Sequence, residues 1–137
     1  MRVVLDTNIL LSALMVRGTP PDRLYEQWRH SRFDLVSTDR PIEELRRVVR
    51  RPFFQARLKA SEIGRMVNDL RRLAMMIDTL PRVSRSPDPA DDYLLALCEA
   101  ARADYLVTGD KSHLLALKSH GGTRIVSART LANRLAR

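Results

Sequence analysis

The stretch that most constrains this chain is Val3-Val4-Leu5 followed at once by Asp6-Thr7-Asn8. With Arg2 it makes a short run rich in β-branched residues, with no polar–apolar alternation. Continuous apolar runs of this kind belong to strands buried on both faces, as in parallel sheets. In open α/β sheets, ligands gather just outside the carboxyl ends of the strands. A carboxylate directly after such a run therefore sits at the mouth of the sheet. Tyr105-Leu106-Val107-Thr108 repeats the pattern and is ended by Gly109-Asp110. Two strands that each deliver an aspartate are more specific than either alone.

The remaining elements follow in order. Ile9 to Val16 is apolar and predicts a helix whose first backbone N–H groups point to the place beside Asp6. Thr19 precedes Pro20-Pro21 and caps a second helix. Leu24, Tyr25 and Trp28 recur there at helical spacing, so Trp28 reads as a core anchor rather than a base-stacking platform. Phe33 to Ser37 reads as a second strand, and Thr38-Asp39-Arg40-Pro41 as a helix start. That helix carries Ile42, Leu45, Val48 and Val49 inward and stops before Pro52. Phe53, Phe54 and Leu58 suggest a short helix. Ser61 is expected to cap a longer one with Ile63, Met66, Val67, Leu70, Leu73 and Ala74 on one stripe. The two form a helical hairpin inserted before the sheet resumes, with strand character from Met75 towards Ile77.

Arg82 to Pro87 is a linker, and Tyr93 to Ala101 a strong helix closed by Asp104. Lys111 to Leu117 is expected to be a short helix, His120 to Thr123 a turn, and Arg124 to Val126 a last strand. Ser127 caps a final helix containing Leu131 and Leu135. Alternating strands and helices imply right-handed crossovers. The expected architecture is a single domain over residues 1–137. It is a three-layer α/β/α fold with a central parallel sheet of four or five strands, in a Rossmann-like topology with the inserted hairpin.

Composition bounds the partners. The 137 residues suffice for one core, and the formal net charge is +8, carried mostly by arginine. Arginine forks match phosphate geometry, so the balance favours an anionic partner such as nucleic acid. Arg46, Arg47, Arg50 and Arg51 form the densest basic cluster. The single Cys98 excludes an intramolecular disulfide and lies in an apolar helical run, as a small core residue does. No apolar stretch reaches the ~18 residues of a membrane span, and charge returns at Asp6 before a signal-peptide core can form. A cytoplasmic location is expected.

Further carboxylates can join the strand mouth. Glu44 lies beside Leu45, one turn from its helix start. On position alone it is a solvated residue or a partner for Arg47, three residues on. Asp88, Asp91 and Asp92 place three carboxylates in five residues before the helix that follows. The helix dipole accounts for one or two of them. Three so close repel one another unless a cation or arginines offset them. Asp6, Glu44, Asp92 and Asp110 all fall at strand-to-helix transitions, which a parallel sheet collects on one edge. Converging carboxylates without nearby cysteine or histidine ligands suit Mg²⁺ or Mn²⁺ rather than zinc.

These segments together resemble the PIN domain, and in particular the PIN-family toxins of bacterial toxin–antitoxin pairs, the VapC-like ribonucleases. The resemblance rests on Val3-Val4-Leu5-Asp6-Thr7-Asn8, Glu44-Leu45, Asp88-Pro89-Ala90-Asp91-Asp92 and Leu106-Val107-Thr108-Gly109-Asp110, in that order over nearly the whole chain. It implies Mg²⁺- or Mn²⁺-dependent endonucleolytic cleavage of RNA. It also implies a cognate antitoxin and a homodimer. By position, Asp6, Glu44, Asp92 and Asp110 are the implied catalytic and metal-binding acids. Asn8, Thr7 and Thr108 are the implied supporting residues. The doubled aspartate leaves Asp91 able to share or replace the role of Asp92, with Asp88 as a further candidate ligand. The hairpin from Phe53 to Leu73 can shape the RNA groove or receive the antitoxin.

Two other classes compete. A catalytically silent RNA-binding or protein-interaction module would keep the arginines and lose the need for all four acids. A haloacid-dehalogenase-like phosphatase wants a second aspartate where Asn8 stands and a later lysine, for which only Lys111 is near.

Overall fold

The computed structural model describes residues 1–110 and 112–136. Strand β1 (Arg2–Leu5) occupies the middle of the sheet, between β2 (Asp34–Ser37) and β4 (Tyr105–Val107) and parallel to both. Beyond β2 lies the short β3 (Met75–Met76), and beyond β4 lies β6 (Thr123–Val126), both again parallel. The order is β3-β2-β1-β4-β6-β5, where β5 (Ser119–His120) closes the edge antiparallel to β6. The five parallel strands match the four or five expected, and β5 adds a sixth, antiparallel strand among the described residues. The extra strand falls where the sequence suggests only a turn. Ser119 pairs with Arg124 and His120 with Thr123, leaving Gly121-Gly122 as the hairpin loop. Gly121 takes φ +57, a left-handed conformation that glycine adopts without a Cβ penalty. Two residues are too few to show a strand period.

Strand side chains alternate between faces, and the core divides accordingly. Val3, Leu5, Leu35, Tyr105 and Val107 face one layer, made by α1 (Thr7–Met15), α2 (Pro20–Arg29), α3 (Asp39–Val48), α5 (Ala60–Leu73) and α8 (Ala128–Leu135). Leu24, Trp28, Leu45, Met66, Leu70 and Leu131 fill that layer. Val4, Val36, Leu106 and Ile125 face the other, covered by α6 (Asp92–Ala101) and the short α7 (Leu114–Leu117). Leu94, Leu95, Leu97 and Cys98 of α6 are buried there. Each fully buried leucine contributes about 1.5–3 kcal/mol relative to exposure. Burial pushes the Cys98 thiol up to about 12, so it stays neutral.

Several boundaries move by a residue or two. Helix α5 starts at Ala60 with Lys59 as its N-cap, so Ser61 lies in the first turn instead of capping it. Helix α6 ends at Ala101, where Arg102 turns left-handed at φ 51 and the Ala103 N–H bonds back to the Cys98 carbonyl. Asp104, expected to close that helix, instead accepts from the Arg2 backbone N–H at 2.8 Å. The hairpin consists of α4 (Pro52–Gln55) and α5, and together with α3 it forms the crossover from β2 to β3. Lys111, the first residue of the expected short helix and the lysine weighed for a phosphatase, lies outside the described residues. No described helix is long and apolar enough to cross a membrane.

Candidate active site

The site is built at the carboxyl ends of β1 and β4, where two neighbouring strands stop in register. Asp6 follows β1, and its backbone N–H still bonds to the Val107 carbonyl of β4 at 3.0 Å. It is also the N-cap of α1, accepting from the Asn8 backbone N–H at 3.5 Å. Asn8 thus contributes its backbone; its side chain is exposed. The Thr108 hydroxyl, fully buried, donates to Asp6 Oδ2 at 2.9 Å and accepts from the Asp110 backbone N–H at 3.1 Å. One hydroxyl therefore ties together the two strand ends that carry acids. Burial holds the Asp6 carboxyl above its usual range, and the negative Glu44 adds to this, while the Thr108 hydroxyl opposes it.

Glu44 reaches the same place from α3. Its Oε2 accepts from the Thr7 hydroxyl at 2.9 Å, and its Oε1 from Arg40 Nε at 3.1 Å. The arginine in contact is thus one turn earlier in the helix, where the sequence suggested Arg47 one turn later. Leu45, wholly buried, anchors this turn of α3.

The two adjacent aspartates have different surroundings. A 3-10 turn, Pro89–Asp91, precedes α6, and Asp88 caps it by accepting from the Ala90 N–H at 3.0 Å. Asp91 ends that turn on the side of the other acids. Burial and then the charges of Asp6, Asp88 and Asp110 raise its carboxyl to about 6. Asp92 is spent on the backbone: its Oδ1 accepts from the Ser86 N–H at 2.7 Å and the Arg85 N–H at 3.1 Å. It pins the preceding linker to the start of α6. The structure therefore brings Asp6, Glu44, Asp88, Asp91 and Asp110 to one end of the sheet and engages Asp92 elsewhere.

Asp110 carries a partner that no sequence spacing flags. His113 lies three residues on, with Nδ1 3.0 Å from Asp110 Oδ2 and its backbone N–H 3.2 Å from Oδ1. Burial works to raise the Asp110 carboxyl, but the His113 hydrogen bonds and charge outweigh it and hold the group below its usual range. Asp88, Asp91 and His113 each offer one ligand atom, all within 4.8 Å of one another. Tyr93 is the other omission. Its phenol is raised by burial and by the charges of Glu44 and Asp6, and Arg40 lies over its ring at 4.2 Å. No spacing rule flags a tyrosine in an apolar helix; the i,i+4 interval from Arg40 to Glu44 was the legible signal.

Arg46, Arg47, Arg50 and Arg51 are all exposed, and none forms an ion pair among the described residues. A comparison with curated proteins returned no match. Residues 2–112 match the sequence profile of a family described as the PIN domain. That span includes every acid at the site and covers most of the sheet. PIN domains are generally nucleases, and a cluster of carboxylates stands here at the strand mouth. The chain belongs to the PIN domain family.

Proposed function

We propose that this protein is a metal-dependent endoribonuclease in which Asp6, Glu44, Asp91 and Asp110 form the working carboxylate set. The observation that carries the reading is geometric: Thr108 ties Asp6 to the Asp110 backbone at the strand ends, and Asp88, Asp91 and His113 offer ligand atoms within 4.8 Å of one another. Burial and like charges disfavour the charged forms of Asp6 and Asp91, and a divalent cation relieves both. The donors are almost all oxygens, which suits Mg²⁺ or Mn²⁺, and His113 adds one nitrogen. Asp6 and Asp91 would hold the metal, with Asp110 and Glu44 completing its surroundings and Asp88 at the rim. When bound, the metal supplies water activation at neutral pH and charge stabilisation for phosphodiester hydrolysis.

The chain's own groups do the rest. Thr108 fixes which Asp6 oxygen turns inward, and Thr7 does the same for Glu44. Outer hydrogen bonds of this kind orient ligands and sustain affinity. Asp92 holds the linker and turn that present Asp91. Arg46, Arg47, Arg50 and Arg51 would neutralise backbone phosphates flanking the cut.

The finer assignment is the toxin of a toxin–antitoxin pair, acting as a homodimer in the cytoplasm. It is supported by the four-part motif and by apolar residues left uncovered on the inserted helices. Phe53 is 52% exposed and Leu73 58% exposed. Incubating the protein with single-stranded RNA and Mg²⁺ or Mn²⁺ tests the activity. Wild type should cleave, and chelation or Asp6→Asn should stop it; metal-independent cleavage would refute the reading. A small inhibitory protein encoded beside this chain should lose affinity when Phe53 and Phe54 become serine. Undiminished binding would remove the hairpin from the antitoxin interface.

A further inference from the structure

The geometry points to Arg40 as the residue that grips a phosphate of the bound RNA beside the carboxylates, with Tyr93 as the plate that holds its guanidinium still. This rests on the nuclease reading and deepens it.

The need for such a group is electrostatic. The strand mouth gathers Asp6, Glu44, Asp88, Asp91 and Asp110, and a polyanion approaching them is repelled unless cations stand at the rim. Arg46, Arg47, Arg50 and Arg51 are exposed and unpaired among the described residues, so they serve as diffuse counter-charge. Arg40 is different. Its Nε donates to Glu44 Oε1 at 3.1 Å, and its guanidinium carbon lies 4.2 Å from the centre of the Tyr93 ring. It is held from two sides at the edge of the acid cluster, with its side chain 47% exposed.

Its two terminal NH₂ groups make no hydrogen bond among the described residues. That leaves a planar pair of donors, already ordered, which matches two oxygens of one phosphate. Other arginine–aromatic stacks do not share this position. Arg57 lies over Phe53 at 3.8 Å but donates to the Phe53 carbonyl, and Arg134 lies over Tyr105 near the opposite end of its strand. Arg40 alone among these stacked arginines touches a site acid. Glu44 thus acquires a second use: it fixes the arginine as well as serving the carboxylate set.

The test is equilibrium binding of a labelled single-stranded RNA in Ca²⁺, an oxygen-seeking ion, followed by fluorescence anisotropy. Arg40→Ala should weaken binding about 10-fold and lower the slope of log Kd against log salt by about 0.7, the single-strand value for one phosphate contact. Arg40→Lys should recover the salt slope but only part of the affinity, because an ammonium neither stacks nor forks. Tyr93→Phe keeps the ring face under the guanidinium and should weaken binding less than Tyr93→Leu. Tyr93→Leu should weaken binding although no charge is lost, a change that a simple surface cation would not show. The rise in melting temperature on adding Mn²⁺ should persist in the Arg40 variants, which separates loss of RNA from loss of metal. Should Tyr93→Leu fail to fold, the exposed Arg40 substitutions still decide the matter. Arg40→Ala binding within about twofold of wild type, with an unchanged salt slope, overturns the proposal. Wild type that binds RNA through Arg40 yet cleaves none in Mn²⁺ overturns the nuclease reading and leaves the grip standing.

Discussion

The two halves of the acidic pocket are built in different ways. Asp6, Thr7, Thr108 and Glu44 form one half: buried or half-buried, at the ends of strands or one turn into a helix, and linked by hydrogen bonds of 2.9 Å. Asp88, Asp91, Asp110 and His113 form the other: more open, carried on a 3-10 turn and a loop, with hydrogen bonds that run mostly to groups two or three residues away. The first half is fixed by strand ends and their own hydrogen bonds. In the second, Asp88 and Asp91 follow a linker tied down by Asp92 and by Arg85, while Asp110 is held by Thr108 and His113. The difference separates preorganisation from adjustability, and each substitution below probes one side of it.

The largest effect belongs to the wired half. Asp6→Asn should reduce RNA cleavage by about 10²–10³-fold, the scale of losing a principal transition-state stabiliser. It should also raise the melting temperature of the metal-free protein, because an amide has no charge to bury; a falling melting temperature would break the account of Asp6. On the open half, Asp91→Asn should lower cleavage by about 10²-fold while leaving metal-free stability unharmed. Thr108→Val keeps shape but removes the hydroxyl shared by Asp6 and Asp110, and should cost about 10–100-fold in metal affinity. A smaller cost would show that the strand ends orient Asp6 without it.

Asp92→Ala should behave oppositely to Asp91→Asn. Losing the acceptor for the Arg85 and Ser86 N–H groups should destabilise the protein by about 1–2 kcal/mol in urea unfolding, with a smaller loss of cleavage than Asp91→Asn shows. The smallest effect is on pH. Asp91 rises on folding from 3.8 to about 6, so the folded chain binds a proton that the unfolded chain releases. Stability from this group is full below pH 3.8 and fades as pH rises through about 6, and Asp6 acts in the same direction. Metal-free melting temperatures should fall over that range, and Mn²⁺ or Asp91→Asn should flatten the fall.

The same division governs what the sequence could tell. Asp6 and Asp110 were legible because each directly ends an apolar strand, and strand ends have one place to go in a parallel sheet. Helices α1, α5 and α6 were legible from long apolar stripes, and Trp28 proved a core residue as its phase with Leu24 required. Asp91 against Asp92 was not legible. Which of two adjacent residues faces the pocket depends on a three-residue turn, and one residue of rotation exchanges their roles. Strand β5 escaped because two residues show no period, and His113 because its partner lies across a turn rather than along a helix face. Arg40 and Tyr93 meet only in three dimensions, at the carboxyl edge of the sheet, reached by α3 from one layer and α6 from the other.

Calorimetric titration with Mn²⁺ of wild type, Asp6→Asn, Asp91→Asn and Asp92→Asn tests the central claim most directly. Wild type and Asp92→Asn should bind Mn²⁺ with similar affinity, and Asp6→Asn and Asp91→Asn should each lose at least about 10-fold. Asp92→Asn losing Mn²⁺ while Asp91→Asn keeps it would make Asp92, not Asp91, the metal ligand.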